Sequence, residues 1–394
     1  MTLIPWLMEP DWTDGVSEIL AWKTDILQSP TGAEQRIARR LSPRREFEFA
    51  IMPADRDRQT IEHALFHAGG AEWAMPVYPD VAVLTTTLSA GASFVPVATS
   101  GRDFIAGDPL LLKSGAGWPG QYELVTIESV SDEGIQLAQG LAGDWTAGAL
   151  VYPVRPAVLV EQPELTRHTS RLSGGSVRFR VAAHNARNAV SPTQVYQGYP
   201  VLDIDPDWSE DVTGQYTRLL LELDNDVGIP DITDTALRPF CVQTMSWTAL
   251  GRERQAAMRS LLYYMRGRQR PLWVVSPTDD LTPVTGVNGH TLDVMPTQFS
   301  DYGVASGRRD LCILLTNGTR LYRRIVAMAA YDGYERLVLA GDAVTVSLTD
   351  ILALSFMTLS RLNEDELTWK HTTDADGVAS LSLTFIGVRD DELE

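Results

Sequence analysis

Cysteine is scarce in this chain of 394 residues, which contains only Cys241 and Cys312. Two cysteines cannot build a disulfide framework, and neither lies in a C-x-x-C pair of the kind that holds a metal or a redox centre. We therefore interpret both as small buried hydrophobic residues. The cores must be stabilised by ordinary packing, for which a composition of 44% hydrophobic residues is sufficient.

Long apolar runs are also missing. No stretch approaches the roughly 18 to 20 apolar residues that a membrane-spanning helix needs. The first twelve residues, with Pro5, Glu9, Pro10 and Asp11, lack the basic segment and apolar run of a signal peptide. The sequence predicts a soluble protein that is made in the cytoplasm and does not bind membranes.

Basic residues are few compared with acidic ones. Lys and Arg number 33, against 51 Asp and Glu, which gives a formal charge of −18. Non-specific binding to nucleic acid depends on a basic surface that neutralises phosphates, so this balance argues against specific or tight DNA binding. Lysine occurs only three times, and arginine, whose planar group suits buried or interfacial ion pairs, supplies almost all of the positive charge.

Motifs that would indicate catalysis or a bound group are lacking. The chain contains no P-loop and no G-x-S-x-G nucleophile motif. His63 and His67 are four residues apart but have no recognisable third metal ligand, and the segment Asp203, Asp205 and Asp207 lacks the glycine and glutamate of a calcium-binding EF-hand loop. We expect no catalytic residue, no metal and no cofactor, and therefore not an enzyme.

Two short glycine motifs are interpreted as turns. Residues 115–120 satisfy G-x-G-x-x-G, but a strand pattern follows them and Pro119 stands where a helix would begin. A loop between two strands explains this motif better than a dinucleotide site. Residues 374–377, Asp-Ala-Asp-Gly, are interpreted as a turn between strands.

Most of the chain alternates apolar and polar residues, with turn residues every 8 to 12 positions, which is typical of sandwiches and barrels. Asn317-Gly318 and Asp332-Gly333 predict tight hairpin turns, and Asn288-Gly289 predicts another. Two segments have helical periodicity, about 57–68 and about 249–266. The fold class expected is mostly β (α+β).

The surroundings of the two helices match at an offset of nearly two hundred residues. Residues 41–43 and a strand at 46–51 precede the first helix, and Trp73 follows it; residues 237–239 and a strand at 240–247 precede the second, and Trp273 follows it. This repetition predicts two similar β-sandwich or barrel modules from internal duplication, each with one packed α-helix. We assign residues 1–160 and 212–394 to the modules, and 161–211 to a linker or small insertion with a short strand at 177–182.

Four motifs of the first module carry a family resemblance, together with a C-terminal segment formed by residues 361–367 and the strand at 380–388. The motifs are Trp22-Lys23-Thr24-Asp25, Thr31-Gly32-Ala33-Glu34-Gln35-Arg36, Ser42-Pro43-Arg44-Arg45 and Trp73-Ala74-Met75-Pro76. The chain resembles the distal tail and tail-tip (baseplate) structural proteins of long-tailed bacteriophages and gene-transfer-agent-like particles. The second module departs from the pattern, because residues 234–238, Asp-Thr-Ala-Leu-Arg, replace the G-x-E-Q-R segment.

The resemblance implies a virion protein that forms a ring at the tail tip and joins the tail tube to the hub or fibres. Two modules in each chain suggest a trimer with pseudo-sixfold symmetry, with a hexamer of whole chains as the rival arrangement. The acidic composition predicts a lumen through which DNA passes without binding. The candidate interface residues are Glu34, Gln35, Arg36, Arg44, Arg45, Arg252, Arg254 and Arg259, of which the last three are expected to be available to solvent or a partner.

Two other functions remain open at the level of sequence. Ten Trp and twelve Tyr residues could line a cleft of a carbohydrate-binding module that recognises host glycans, although aromatic residues are also enriched in subunit interfaces. Carboxylates are abundant, and a pair at a suitable separation would make a glycan hydrolase.

Overall fold

The structure is a computed structural model that describes residues 3–115, 120–183, 185, 187–208, 210–373 and 377–390. Strands account for 47% of it and helices for 10%, and the large sheets are antiparallel. The expected fold class, mostly β with few helices, is confirmed. No helix among the described residues has both the length and the apolar character needed to cross a membrane.

The described residues of the first half of the molecule, 3–183, form fourteen strands, one α-helix and a short 3-10 helix at Tyr78–Asp80. In chain order the strands and the α-helix are β1 (Ile4–Pro5), β2 (Val16–Ala21), β3 (Thr24–Gln28), β4 (Glu34–Ala38), β5 (Arg44–Ile51), α1 (Asp55–Ala68), β6 (Trp73–Pro76), β7 (Ala82–Val83), β8 (Phe94–Val95), β9 (Pro109–Ser114), β10 (Gln121–Ser131), β11 (Gly134–Leu137), β12 (Leu150–Leu159), β13 (Thr166–Arg167) and β14 (Ser173–Val181).

A short hairpin, β15 (Val195–Tyr196) and β16 (Tyr199–Pro200), precedes the second half, residues 212–390. The second half contains β17 (Thr213–Thr217), β18 (Leu220–Leu223), β19 (Asp231–Asp234), β20 (Phe240–Leu250), α2 (Arg252–Met265), β21 (Leu272–Val275), β22 (Val287–Gly289), β23 (Thr291–Val294), α3 (Phe299–Tyr302), β24 (Asp310–Leu315), β25 (Arg320–Tyr331), β26 (Tyr334–Leu339), β27 (Val344–Val346), β28 (Ile351–Leu362), β29 (Glu366–His371) and β30 (Val378–Gly387).

Both predicted helices are present, with shifted ends. Helix α1 begins at Asp55, two residues before the expected start, and α2 begins at Arg252, because the residues up to Leu250 continue strand β20. Gly251, at a φ of +84°, marks the change from strand to helix. The apolar stripe of each helix packs against its own half: Ile61 in the first, and Leu262 among others in the second.

A continuous antiparallel sheet of eight strands runs through the molecule. Its order is β13-β14-β5-β2 from the first half, followed by β29-β30-β20-β17 from the second. Each half therefore contributes a four-stranded unit, and the β2–β29 pair joins the two units. We call the covered side of this sheet the core face and the opposite side the polar face.

The halves share the same order of strand pairing. Strand β12 pairs with β14, β6 and β9, and β28 pairs with β30, β21 and β24. The meander that follows also matches, since β9–β10, β10–β11 and β11–β8 in the first half have the counterparts β24–β25, β25–β26 and β26–β23 in the second. The common origin of the halves by duplication stays a prediction.

Each half has a main core under its four-stranded unit and a second core in its meander. Trp6, Phe47, Trp73 and Phe179 belong to the main core of the first half. The corresponding core of the second half contains Trp247, and it also takes in Leu20 and Trp22 from the first half. The halves are thus joined by shared apolar packing as well as by strand pairing.

The segment 161–211 is not simply a linker. Strand β14, which lies inside it, pairs with β5 over six residues, and its Phe179 is fully buried in the first core. Gly174 and Gly175 resemble linker residues in the sequence, but they permit close approach of His168 and of the backbone of Glu164. The first module therefore extends at least to Val181.

The predicted turns occur, with small changes in geometry. Gly318 has a φ of +82°, but the loop holds three residues, because the amide of Leu315 bonds to the carbonyl of Thr319. Tyr331 pairs with Tyr334 across Asp332-Gly333 as expected. The third turn lies one residue later than predicted, since Asn288 pairs with Thr291.

The two glycine motifs interpreted as turns fall largely outside the described residues, at 116–119 and 374–376. The strands that flank them are described: β9 pairs with β10, and β29 pairs with β30.

Candidate functional site

The contact between the halves is centred on the β2–β29 strand pair. Six residue pairs connect these antiparallel strands, from Val16 opposite His371 to Ala21 opposite Glu366. Successive residues of a strand point to opposite faces, so Val16, Glu18 and Leu20 all point to the core face. A carboxylate on that face requires buried partners of opposite charge.

Glu18 has these partners on three different elements. Its side chain is almost completely buried and accepts hydrogen bonds from Arg45 Nε of β5 at 2.7 Å and from Arg259 Nη2 of α2 at 2.8 Å. The Nε2 atom of His371 lies 2.9 Å from its second oxygen. Burial alone would raise the pKa of Glu18, but the charges of Arg259 and Arg45 outweigh it and hold the pKa well below the usual range.

Asp103 extends this network into the first half. Arg45 contacts both Glu18 and Asp103, and Arg155 and Arg187 also pair with Asp103. Burial opposes ionisation of this carboxyl, but Arg45, Arg187 and Arg155 together lower its pKa. Arg187 comes from the segment between the halves, which the network therefore ties to the first half.

Asp80 forms the third acidic position of the network. It accepts a hydrogen bond from Arg252 Nη1 at 2.8 Å, and Arg259 Nη1 lies 3.9 Å away. Both arginines belong to α2 of the second half, whereas Asp80 belongs to the first. Helix α2 is thus held to the first half by buried ion pairs, which fix the relative position of the halves.

A hairpin of the first half also lies on the second half. We call this hairpin, β3–β4 with its loop at residues 24–38, hairpin A. Arg361 of β28 makes two hydrogen bonds to Glu34, at 2.7 and 2.8 Å, and both side chains are buried. At the loop, Thr235 Oγ1 donates to the carbonyl of Pro30 at 2.6 Å, and Arg389 donates to that of Thr31 at 3.0 Å.

Hairpin A consequently has one covered face and one exposed face. Along β4 the residues Glu34, Arg36 and Ala38 are partly buried, whereas Gln35 and Ile37 between them are exposed. The tip approaches the second half so closely that a Cβ atom on Gly32 would overlap the ring of Phe240.

The second half has a hairpin in the same position of the strand order. Hairpin B, β18–β19 with its loop at residues 220–234, follows β17 and precedes β20, just as hairpin A follows β2 and precedes β5. Nearly all of its residues are exposed, on both faces. Its apolar side chains include Leu223, Val227 and Ile229, which are 70%, 85% and 97% exposed.

The eight-stranded sheet ends in two edges without a partner strand among the described residues. Strand β17 pairs only with β20, and β13 pairs only with β14. Their counterparts, β2 and β29, are the two strands that pair with each other at the junction of the halves. The molecule thus presents, at its two ends, strands in the positions of β2 and β29, although β13 is only two residues long and β29 pairs with β2 over six.

The structure divides the eight predicted interface residues into two groups. Gln35, Arg44 and Arg254 are exposed, and Arg36 is partly buried at a site where burial lowers its pKa. Arg45 and Arg259 are buried in the ion network, Arg252 pairs with Asp80, and Glu34 pairs with Arg361. The expectation that Arg252 and Arg259 are available to a partner is wrong, because the contact they make lies between the two halves of one chain.

The residues considered for metals and thiol chemistry are dispersed. His63 and His67 are exposed on α1, and no group of three or more potential ligands occurs among the described residues. Cys312 is buried, which raises the pKa of its thiol to about 11, and Cys241 is partly buried. The two cysteines therefore occupy positions typical of packing residues.

A groove of about 850 Å³ lies between the segment 203–207 and helix α2. Its lining includes Asp203, Asp205 and Asp207, together with Trp247 and Arg254. Asp205 is paired with Arg320 at 2.6 and 2.7 Å.

Sequence reasoning missed the centre of the ion network, Glu18, Asp80 and Asp103, and also hairpin B. For Glu18 a signal was present: it stands between Val16 and Leu20 on the apolar face of an alternating strand. The partners of Glu18 lie far away in sequence, and no local pattern indicates which arginines they are.

No protein-family model matches the chain, and no curated protein sequence matches it.

Proposed function

We propose that this chain is the ring-forming structural subunit of a phage-type tail tip and has no catalytic activity of its own. Copies would associate head to tail around an axis, and the ring would connect the tail tube to the hub or fibres. The family part of this proposal depends on the resemblance of the four motifs described above. The part of the proposal that concerns the ring depends on the architecture of the eight-stranded sheet.

The observation that carries the proposal is the pair of complementary edges. Strands β2 and β29 satisfy each other between the halves, while the equivalent strands β17 and β13 are left at the two ends of the sheet. Exposed sheet edges are templates for pairing with another chain. Repetition of the internal contact between copies would join β17 of one copy to β13 of the next.

A contact that repeats head to tail either closes into a ring or forms a filament. Three copies would close a ring of six four-stranded units, which matches a sixfold tube above and a threefold hub below. A hexamer of whole chains is the alternative closure. The buried ion network fixes the angle between the two halves, and a contact between copies that repeats the internal one would keep this angle constant between successive units, as a closed ring requires.

The polar face of the sheet is the surface we assign to the lumen, through which DNA would pass without specific binding. Its charged residues in the eight strands are Glu46, Glu48 and Glu366 against Arg44, Arg178, Arg180 and Lys370. This face is not acidic, so the composition-based expectation of an acidic lumen is not part of the proposal. Hydroxyl side chains such as Thr244, Ser382 and Thr384 dominate the second half of this face.

The alternative functions receive less support from the geometry. A glycan-binding cleft requires exposed aromatic rings that lie together. Among the described tryptophans Trp208 alone is exposed, and the exposed tyrosines are on four different elements: Tyr122 on β10, Tyr216 on β17, Tyr302 on α3 and Tyr331 on β25. A binding screen on a glycan array would favour the carbohydrate-binding alternative if it gave specific hits, and zymography would favour the hydrolase if it gave clearing.

Native mass spectrometry of the purified chain tests the ring. We expect a trimer at micromolar concentration, and rotational averaging of negatively stained particles should give a ring with six lobes around a central channel. A hexamer with twelve lobes would keep the ring and change its stoichiometry. A monomer as the sole species across this concentration range would overturn the proposal.

A further inference from the structure

The position of hairpin A on the second half suggests what hairpin B contacts. The contacts of hairpin A with the second half include three that have counterparts in the strand order: the first residue of β20, which is Phe240; Arg361 near the end of β28; and Arg389 just beyond β30. The corresponding places in the first half are the start of β5, the end of β12 and the residues just beyond β14.

Two of these places, the start of β5 and the residues just beyond β14, line an open groove of about 530 Å³. We call it the arginine groove, after Arg40, Arg44 and Arg180 in its lining; Leu41 and the residues at 181–183 line it as well. The groove lies at the base of hairpin A in the first half. The corresponding place in the second half is the base of hairpin B, where Thr235 and Phe240 contact hairpin A.

The charges of hairpin B and the groove are opposite. Hairpin B contains five acidic residues and no basic one: Glu222, Asp224, Asp226, Asp231 and Asp234. In the groove, Arg44 is exposed and has no side-chain ion pair or hydrogen bond with the described residues, whereas Arg180 pairs with Glu46. The contact of hairpin A has the same polarity, since its Glu34 is held by Arg361.

Hairpin B and the arginine groove both expose apolar side chains as well. Val227 and Ile229 at the tip of hairpin B are 85% and 97% exposed, and Leu41 of the groove is 69% exposed. An isolated two-stranded hairpin is marginally stable in water, so a hairpin with apolar side chains on both faces gains order when a surface covers it.

We infer that hairpin B of one copy docks in the arginine groove of the next copy of this chain, as hairpin A docks on the second half of its own chain. This inference rests on the proposed ring and specifies which segment is exchanged. The sheet edges and the hairpin would act together at each contact, with the hairpin supplying charge complementarity and therefore specificity.

Two variants separate the partners of this contact. In the first, residues 220–234 are replaced by Asn-Gly, because the amide of Thr235 already bonds to the carbonyl of Leu219 and a two-residue turn closes that base. In the second, Arg44→Glu is combined with Ala183→Glu, two exposed positions in the groove. Arg56→Glu with Gln59→Glu, exposed on α1, makes the same change in charge and is the matched control.

The expected result is complementation. Each of the first two variants should weaken self-association by about tenfold or more and stay monomeric at the concentration at which the wild type is a ring, while the control variant assembles normally. An equimolar mixture of the two should form a 1:1 dimer, because the intact hairpin of one meets the intact groove of the other. Native mass spectrometry reads both outcomes, and unchanged thermal unfolding shows that the variants are folded.

The results that would overturn the ring differ from those that would overturn the docking of hairpin B. A wild-type chain that is monomeric overturns the ring and the docking together. A wild-type ring whose two variants also assemble normally leaves the ring intact and overturns the docking of hairpin B. Loss of assembly in both variants without dimer formation on mixing overturns the specific pairing of hairpin with groove.

Discussion

At the scale of the residue, Glu18 shows how a buried carboxylate holds two halves of a molecule together. Its partners Arg45, Arg259 and His371 come from β5, α2 and β29, and all three side chains are almost fully buried. Removal of one member of such a group leaves the others charged and unpaired in a poorly solvated interior, which is more costly than loss of the pair as a whole.

Glu18→Gln should therefore reduce the free energy of unfolding by about 3 to 5 kcal/mol, because Arg45 and Arg259 each lose a buried carboxylate partner and retain only Asp103 and Asp80, respectively. Guanidinium unfolding followed by tryptophan fluorescence measures the change. Glu48→Gln is the control: it lies on the polar face of the adjacent strand, with a 44% exposed side chain, and should cost less than about 1 kcal/mol. Equal effects of the two substitutions would contradict the role of the network.

The same carboxylates predict how stability depends on pH. The pKa values of Glu18 and Asp103 are lowered in the folded chain, since the arginine charges outweigh the effect of burial. In the unfolded chain they titrate near a pH of about 4, so the unfolded state binds protons first as the solution is acidified. Their contribution is complete above pH ~5 and is lost progressively as the pH falls below ~4.

Unfolding midpoints measured from pH 7 to pH 3 should be flat at first and then fall steeply. The Glu18→Gln variant should fall less steeply, because it has one fewer carboxylate whose pKa is lowered on folding. Parallel curves for the variant and the wild type would show that Glu18 does not carry this dependence.

At the scale of the element, hairpins A and B occupy the same position in the strand order and differ in what covers them. Hairpin A is fixed by Arg361 and by the close approach of Gly32 to Phe240. Hairpin B is left almost entirely exposed by the residues that the structure describes. The pairing within the hairpins does not explain the difference, since both are simple antiparallel pairs.

Gly32→Ala tests the docking of hairpin A. Gly32 has a φ of +84° and its new methyl group would overlap the Phe240 ring, whereas Gly91, at +88°, has open space around the same position. Gly91→Ala thus measures the backbone cost alone, and Gly32→Ala should be more destabilising by about 1 to 3 kcal/mol. Thermal unfolding compares them, and equal losses would show that the tip of hairpin A is not held against Phe240.

Hydrogen exchange tests the two sheet edges. Amides of β17 and β13 that point away from β20 and β14 should exchange rapidly in the monomer and become protected in the assembled ring, because they gain a partner strand. Strand β2, paired on both sides by β5 and β29, should be protected in both states and serves as the internal control. Unprotected β17 amides in an assembled ring would exclude edge pairing as its basis.

At the scale of the whole molecule, the two halves behave as successive units of one sheet. Shared packing of Leu20 and Trp22 in the second core, the β2–β29 pair and the ion network all act at the same junction. A rigid junction sets the angle at which a further copy could continue the sheet. If the proposed ring repeats the internal contact, its closure depends on this junction, and changes in the network should alter assembly as well as stability.

The sequence alone determined the features that depend on local patterns. Alternation of apolar and polar residues has a period of two in strands, so the mostly β class, the turn at Asp332-Gly333 and the positions of both helices follow from neighbouring residues. Helix ends were less accurate, because β20 continues through residues that also fit the helical stripe.

Only the tertiary structure decided which charged residues are buried and which hairpin is covered. Arg259 looks solvent-exposed on a helical projection, but it is buried because Glu18, 241 positions away in the chain, reaches it across the junction. Strand β14 lies in a segment whose composition resembles a linker, and only its pairing with β5 makes it part of the first half. Both outcomes depend on contacts between distant segments, whose free energy arises only when the sheet is assembled and which leave no periodic signal in the sequence.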